Sequence, residues 1–198
     1  MSEEINLKAI ERKAWTSYFD DGIWEFLFAA LFLIGGVRSL TDNEWYTLLL
    51  LVPVLILPVG KKLITVPRLG HVKFGSSRKL KQAKVIAILI VSVLTTLALL
   101  LLPDLGLSLP RSLVSPIVAG WIALVFGLIA YYTDFKRLFA YGLLYALTEV
   151  LWGQFGEPVG PIVQTISGIA ILFLGIAVFA RFVRRYPTPS EATRNVQG

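Results

Sequence analysis

Lys84-Val-Ile-Ala-Ile-Leu-Ile-Val-Ser-Val-Leu-Thr-Thr-Leu-Ala-Leu-Leu-Leu-Leu102 carries no charge after its first residue and nothing more polar than Ser92, Thr95 and Thr96. At 1.5 Å per residue this run covers roughly 27 Å as a helix, close to the ~30 Å hydrocarbon core of a bilayer. A helix apolar on every face belongs in a large core or a membrane, and 198 residues are too few for such a core. Five more stretches share its character: 22–40 and 45–59 before it, then 113–132, 138–155 and 161–183. The expected fold is an all-α integral membrane protein, a six-helix transmembrane bundle over 22–183. The second stretch is short and holds Pro53 and Pro58, so it is expected to kink or tilt.

Composition agrees, with 56% of residues in the AVILMFWYC set and 16% charged. Such a chain is neither disordered nor collagen-like. It contains no Cys and one His, which removes disulfide frameworks, thiolate metal sites and cysteine nucleophiles. One His in a loop supplies neither a nucleophile–base pair nor a ligand set, so no cofactor, metal or catalytic residue is expected and the chain reads as non-catalytic.

The net charge of +6 is a topological signal before it is a nucleic-acid footprint. With six spans and the N-terminus inside, the inner segments hold Lys8, Arg12 and Lys13; Lys61, Lys62, Arg68, Lys73, Arg78, Lys79, Lys81 and Lys84; Lys136 and Arg137; and Arg181, Arg184, Arg185 and Arg194. That is 17 of the 19 basic residues, leaving Arg38 and Arg111 outside with Asp42, Glu44, Asp104 and Glu157. Both termini are therefore expected in the cytoplasm. Residues 1–21 read as an interfacial amphipathic helix, with Leu7, Ile10, Ala14 and Tyr18 at helical spacing and no apolar core of a signal peptide; Asp20 or Asp21 then caps the first span. Residues 184–198 read as a basic polar tail. Trp45, Tyr46, Tyr131, Tyr132, Trp152 and Tyr186 fall at span ends, as belt aromatics do.

The longest polar connection is the basic loop 60–84. Leu63-Ile-Thr-Val66 and His71-Val-Lys-Phe74 are β-prone, and Pro67-Arg-Leu-Gly70 between them suits a turn, which predicts a short cytoplasmic β-hairpin followed by a helix capped by Ser76 or Ser77. Pro67, Arg68, Gly70, His71, Lys73, Arg78, Lys79 and Lys81 are then candidates for contact with anionic lipid headgroups or a partner protein. Without Walker spacing, a carboxylate pair or a reading element, phosphate catalysis and nucleic-acid binding are not expected.

Ile64-Thr-Val-Pro-Arg-Leu-Gly-His-Val-Lys-Phe74 resembles the Thr-x-Pro-Arg-x-Gly-x-Val-Lys loop of a family of small bacterial and archaeal multispan membrane proteins. The resemblance extends to Asp20-Asp-Gly-Ile-Trp-Glu25 and to Arg185-Tyr-Pro187, with His71 standing where the family more often has an aromatic residue. It implies a shared fold and the cytoplasmic membrane of a prokaryote, and no particular chemistry.

Ionisable groups inside hydrocarbon cost about 2.5–3.5 kcal/mol each at mid-helix, so Glu149 stands out. It lies about 16 Å along the fifth span, on a stripe with Tyr141, Tyr145, Thr148 and Trp152 that should face protein. It is read either as a proton- or cation-linked carboxylate or as a structural partner of Arg38. Glu25, in the first turn of its helix, is expected at the interface or paired with Arg137 or Arg181. Ala119, Ala123 and Gly127, and likewise Gly168 and Gly175, mark close-packing faces within the bundle or between copies. A weak likeness between 20–39 and 134–153 hints at duplicated three-span halves. The functional expectation is an accessory or scaffold subunit whose basic cytoplasmic face binds anionic lipid or a membrane-protein partner; the alternative is a small transporter or channel using Glu149.

Overall fold

Residues 15–43, 45–69, 76–101 and 110–187 of the computed structural model are described, and among them the chain is almost entirely helical, with no strand. Residues 15–19 are helical, followed by α1 (Ile23–Thr41), the short α2 (Tyr46–Leu49), α3 (Leu51–Gly60), a π-helical turn (Lys61–Thr65), α4 (Val66–Leu69), α5 (Ser76–Leu101), α6 (Arg111–Thr133), α7 (Lys136–Phe155) and α8 (Val159–Arg185). Among the described residues five helical runs are long and apolar enough to cross a membrane: Trp15–Thr41, Tyr46–Leu69, Arg78–Leu99, Ser112–Thr133 and Val159–Arg185. The chain is thus a multi-pass helical membrane protein. The helix α7 is not among the five, because Tyr141, Tyr145, Glu149, Trp152 and Gln154 dilute its apolar character.

The hairpin expected over 63–74 does not form over its described half. Leu63-Ile-Thr-Val66 is helical, and Pro67, Arg68 and Leu69 continue as α4; Gly70, His71 and Lys73 lie outside the described residues. The β-propensity of a short Ile-Thr-Val run is a weak preference that tertiary contacts override. Here Lys61 and Thr65, four apart, are both drawn into the interior. Pro67 lies in a helical run continuous with the π turn before it, so its missing N–H leaves a carbonyl in that turn without a backbone donor. The turn between α3 and α4 widens to π geometry, with the Val66 N–H bonding back five residues to Lys61 O.

Contacts divide the chain into two units. The first draws on Met1–Arg38, Asp42–Phe74 and Thr165–Gly198, the second on Ser39–Thr41 and Gly75–Gln164. The division does not follow the two halves of the sequence, since the later part of α8 joins the first helices.

In the first unit α1 and α8 pack closely. Gly22 adopts φ 81, which ends the preceding stretch and starts α1, while the Asp21 Oδ1 accepts the Ile23 N–H at 3.1 Å. A side chain at Gly22 would also collide with the α8 backbone, 2.7 Å from Phe179 N. Gly168 and Gly175 are likewise covered, the first by Phe32 and Leu33 and the second by Glu25 and Phe26. The close-packing face expected on α8 is therefore occupied by α1. Residues 15–19, read as part of an interfacial helix, turn inward: Trp15 and Phe19 are buried, and an aromatic series runs from Trp15 through Phe19 and Trp24 to Phe28. Residues 1–14 of that expected helix lie outside the described residues.

In the second unit α6 and α7 pack along their length. Phe126 lies directly over Gly142, where a Cβ would sit 2.3 Å from it, and stacks on Tyr145 at 6.5 Å. Ser115 donates to Glu149 O at 2.5 Å, and Gln154 to Ser112 O at 3.4 Å. Ala119 is buried, as its small-residue face requires. By contrast, α5 exposes apolar residues along its length, Ile86, Ile90, Val93 and Leu97 among them.

Candidate functional site

A buried polar cluster lies in the first unit, where the start of α1 meets the π turn. Asp21 is fully buried and the Lys61 side chain is 6% exposed, with Lys61 Nζ 2.6 Å from Asp21 Oδ2. The same oxygen accepts the Thr65 hydroxyl, so with the Ile23 N–H on Oδ1 the carboxylate takes three hydrogen bonds. Lys61 also donates to Tyr18 O at 2.5 Å and lies 4.4 Å from the centre of the Tyr18 ring, with Phe19 and Trp24 rings at 5.9 and 5.8 Å. Glu25, in the first turn of α1, is also fully buried and acts electrostatically on Lys61.

Two charges out of water are tolerable only when paired and further hydrogen-bonded, which is the arrangement here. Asp21 does more than cap a helix: it ties the first helix to a lysine read from the sequence as lying in a solvated loop. Glu25, expected at the interface or paired with Arg137 or Arg181, is buried within the first unit, and Arg181 is exposed. The cluster left a trace in the sequence: Lys61 and Thr65 are four apart and so share a helix face, and Asp21 stands just ahead of α1 where an acid caps a helix start.

Close by in the same unit, Arg68 Nη1 donates to Tyr186 O at 2.9 Å, and the Ser17 and Tyr186 hydroxyls are 3.3 Å apart. Three stretches singled out in the sequence, 20–25, 64–74 and 185–187, therefore contribute Asp21, Thr65, Arg68 and Tyr186 to neighbouring contacts in one unit.

The second unit has its own charged junction. Asp134 ends α6 in the left-handed region at φ 57, its N–H on Ala130 O, and its carboxylate receives Arg78 at 2.6 Å and Lys81 at 3.3 Å. Burial pushes that carboxyl up, but the hydrogen bonds and charges of Arg78 and Lys81 outweigh it and hold it below the usual carboxylate value. Lys84 lies 5.2 Å from the centre of the Tyr132 ring. Arg78 and Lys81, read as lipid or partner contacts, thus brace the α6–α7 corner.

The α7 stripe faces protein in part: Tyr141 and Thr148 are buried, while Tyr145, Glu149 and Trp152 are half-buried. Tyr141 meets Phe135 edge-on at 6.3 Å, and Trp152 covers Gly160. The Glu149 carboxylate acts electrostatically on Tyr145. Arg38 is half-buried near the end of α1, where its carbonyl accepts the Asp42 N–H. Pro67 is exposed.

Among the described residues seven basic side chains stay exposed: Lys62, Arg181, Arg184 and Arg185 in the first unit, and Lys79, Lys84 and Lys136 in the second. Among the described residues no group of three or more His, Cys, Asp or Glu is placed to hold a metal ion. No protein-family model, curated protein or solved structure matches the chain, so its geometry carries the functional reading alone.

Proposed function

We propose that the chain is a six-span, non-catalytic membrane protein acting as an accessory or scaffold subunit, with both termini in the cytoplasm and a basic cytoplasmic face that holds anionic lipid headgroups or a partner protein. One observation carries this reading. Two acids near the basic segments are engaged internally, Asp21 by Lys61 and Asp134 by Arg78 and Lys81, while Lys62, Lys79, Lys84, Lys136, Arg181, Arg184 and Arg185 remain exposed. Positive charge near an anionic leaflet is worth about 1 kcal/mol per residue. The sixth crossing is assigned to α7, whose polar stripe is shielded by its packing on α6.

The chain has no Cys, so single-cysteine labelling maps the topology directly. Cysteines at Lys79, Lys136 and Arg184 should react from the cytoplasmic side, and cysteines at Trp45 and Glu157 from the other. For function, the chain is purified in mild detergent and its co-purifying lipids and proteins are identified by native mass spectrometry. The variant K79Q/K136Q/R184Q/R185Q should lose anionic lipid or partner relative to wild type; retention of both ends this reading. The transporter alternative rests on the half-buried Glu149 beside Tyr145, and Glu149→Gln should then abolish proton-coupled flux in reconstituted vesicles.

A further inference from the structure

Six basic residues and one acid fall within 76–85 and 131–140, the start of α5 and the turn from α6 into α7. In the second unit these stretches meet: Asp134 accepts Arg78 at 2.6 Å and Lys81 at 3.3 Å, and Lys84 Nζ lies 5.2 Å from the centre of the Tyr132 ring. Arg78, Lys81 and Lys84 are three apart, so these contacts turn one face of α5 toward the corner. Arg78 lies closest to Asp134 and is 12% exposed, whereas the Lys81 side chain is 36% exposed and Lys84 is exposed. One carboxylate does not neutralise three cations, even with the roughly half charge of the α6 C-terminus added to it. The unit's other described acids are distant: Glu149 is thirteen residues, roughly 20 Å, along α7 from Lys136, and Glu157 lies beyond it. A surplus of positive charge therefore stays at the corner, and Lys81 and Lys84 carry it where the corner is open.

Depth identifies what these cations meet. After Lys84 the sequence carries no charge until Asp104, so the hydrocarbon boundary falls at Lys84. Tyr132, beside Lys84, and Tyr131, 73% exposed and edge-on to Tyr132 at 5.3 Å, stand where interfacial aromatics do. Lys81 lies three residues, about 4.5 Å, further out, inside the headgroup layer that adds about 5–7 Å to each side of the core. A phosphate at that level meets two ammonium groups from one helix face, and the surplus charge disfavours a headgroup that brings its own cation. We propose that the Lys81–Lys84 face of α5, beside Tyr132, holds the phosphate of an anionic phospholipid from the adjoining leaflet. Asp134 competes for the same cations and so limits how tightly the lipid is held. This deepens the lipid part of the proposed function and rests on it for the leaflet that supplies the lipid.

The full chain is reconstituted in vesicles containing phosphatidylglycerol or phosphatidylcholine with a photoactivatable group near the glycerol backbone, irradiated, and the adducts mapped by mass spectrometry. Adducts should concentrate on 81–85 and 131–132, with phosphatidylglycerol preferred. Lys84→Gln should lower that preference roughly fivefold, the worth of one charge at the membrane surface, and Lys84→Arg should keep it. Lys84 is exposed, so an unchanged unfolding midpoint in Lys84→Gln certifies the fold. K81Q/K84Q should make the two lipids equal. Asp134→Asn should raise the preference, which lysines serving only to hold α5 at the corner would not produce. Adducts spread evenly around α5, a preference insensitive to Lys84→Gln or lowered in Asp134→Asn, displacement of the adducts by inorganic phosphate, or a cross-linked protein in place of lipid at this face would each overturn the assignment. K79Q/K136Q/R184Q/R185Q leaves Lys81 and Lys84 in place. If it keeps its lipids and partners while K81Q/K84Q loses its adducts, the wider basic-face reading falls and this site stands; the reverse result removes the site and keeps that reading.

Discussion

Two helix pairs in this protein are held by opposite means. Between α6 and α7 the contact is made of shape: Phe126 rests on Gly142 and Tyr145, small residues admit large ones, and polar bonds such as that from Ser115 to Glu149 O supplement the packing. Between α1 and α3 a groove separates the middles of the helices, and a buried Asp21–Lys61–Thr65 cluster fixes one end. Hydrocarbon side chains gain little from leaving lipid for protein, so helices in a membrane associate through close packing or polar contacts. The two pairs show each solution nearly alone. A polar clamp fixes a position at one point and leaves the rest of the interface open; packed surfaces fix the whole interface and leave no room.

The largest effect should come from breaking the clamp. Asp21→Asn or Lys61→Met leaves one buried charge without its partner, which costs about 3–5 kcal/mol. Replacing both, as D21L/K61M, should cost less than the sum of the two single variants, because no orphaned charge is then left. The cost that remains belongs to the Thr65 hydroxyl and Ile23 N–H, which lose their acceptor at about 1–3 kcal/mol each. Unfolding midpoints in mixed detergent for the two single variants and the double variant measure this directly. Additive losses in the double variant would show that packing holds α3 in place and that the contrast drawn above is wrong.

The packed pair should respond to volume in place of charge. Gly142→Ala puts a methyl group 2.3 Å from Phe126 Cβ, and the two helices must part or Phe126 must leave its rotamer. Overpacking of this kind costs about 1–3 kcal/mol. An alanine at Gly60 offers a control, since its Cβ would lie 3.5 Å from Ile23, an ordinary contact. Gly142→Ala should lower the unfolding midpoint and Gly60→Ala should leave it nearly unchanged; equal effects would mean that the α6–α7 contact is softer than its geometry.

The same contrast explains what could be read from the sequence. Long apolar runs announce helices because every residue reports on its surroundings, and α5, α6 and α8 begin and end within a few residues of expectation. Gly168 and Gly175 announced close packing, since nothing else justifies two glycines in such a helix, but only the fold reveals that α1 covers them. Lys61 was not legible. A lysine at the end of an apolar run, followed by Lys62, reads as part of the solvated basic loop, and its burial depends on an aspartate forty residues earlier. Leu63-Ile-Thr-Val66 misled for a related reason: local β preference is small beside the free energy of placing Lys61 and Thr65 on Asp21. The hint of duplicated halves also meets a different grouping, with the later part of α8 joining α1 and α3.

The smallest effect should fall at the charged corner of the second unit, where a similar ion pair meets water. The Asp134 carboxyl and the Arg78 guanidinium are both partly exposed, and Lys81 is more so. Exposed pairs contribute less than about 1 kcal/mol, so Asp134→Asn should cost a fraction of what Asp21→Asn does. Its signature is pH. Because folding holds the Asp134 carboxyl below the usual value, ionised Asp134 stabilises the folded chain fully above pH ~4, and that contribution fades as the pH falls through the lowered value. The wild-type midpoint should therefore converge on that of Asp134→Asn in acid and exceed it near neutrality. Asp134→Asn also retains a residue suited to the left-handed turn, so a difference that persisted unchanged into acid would assign the effect to backbone geometry and remove the ion pair from the account of how α5 is held.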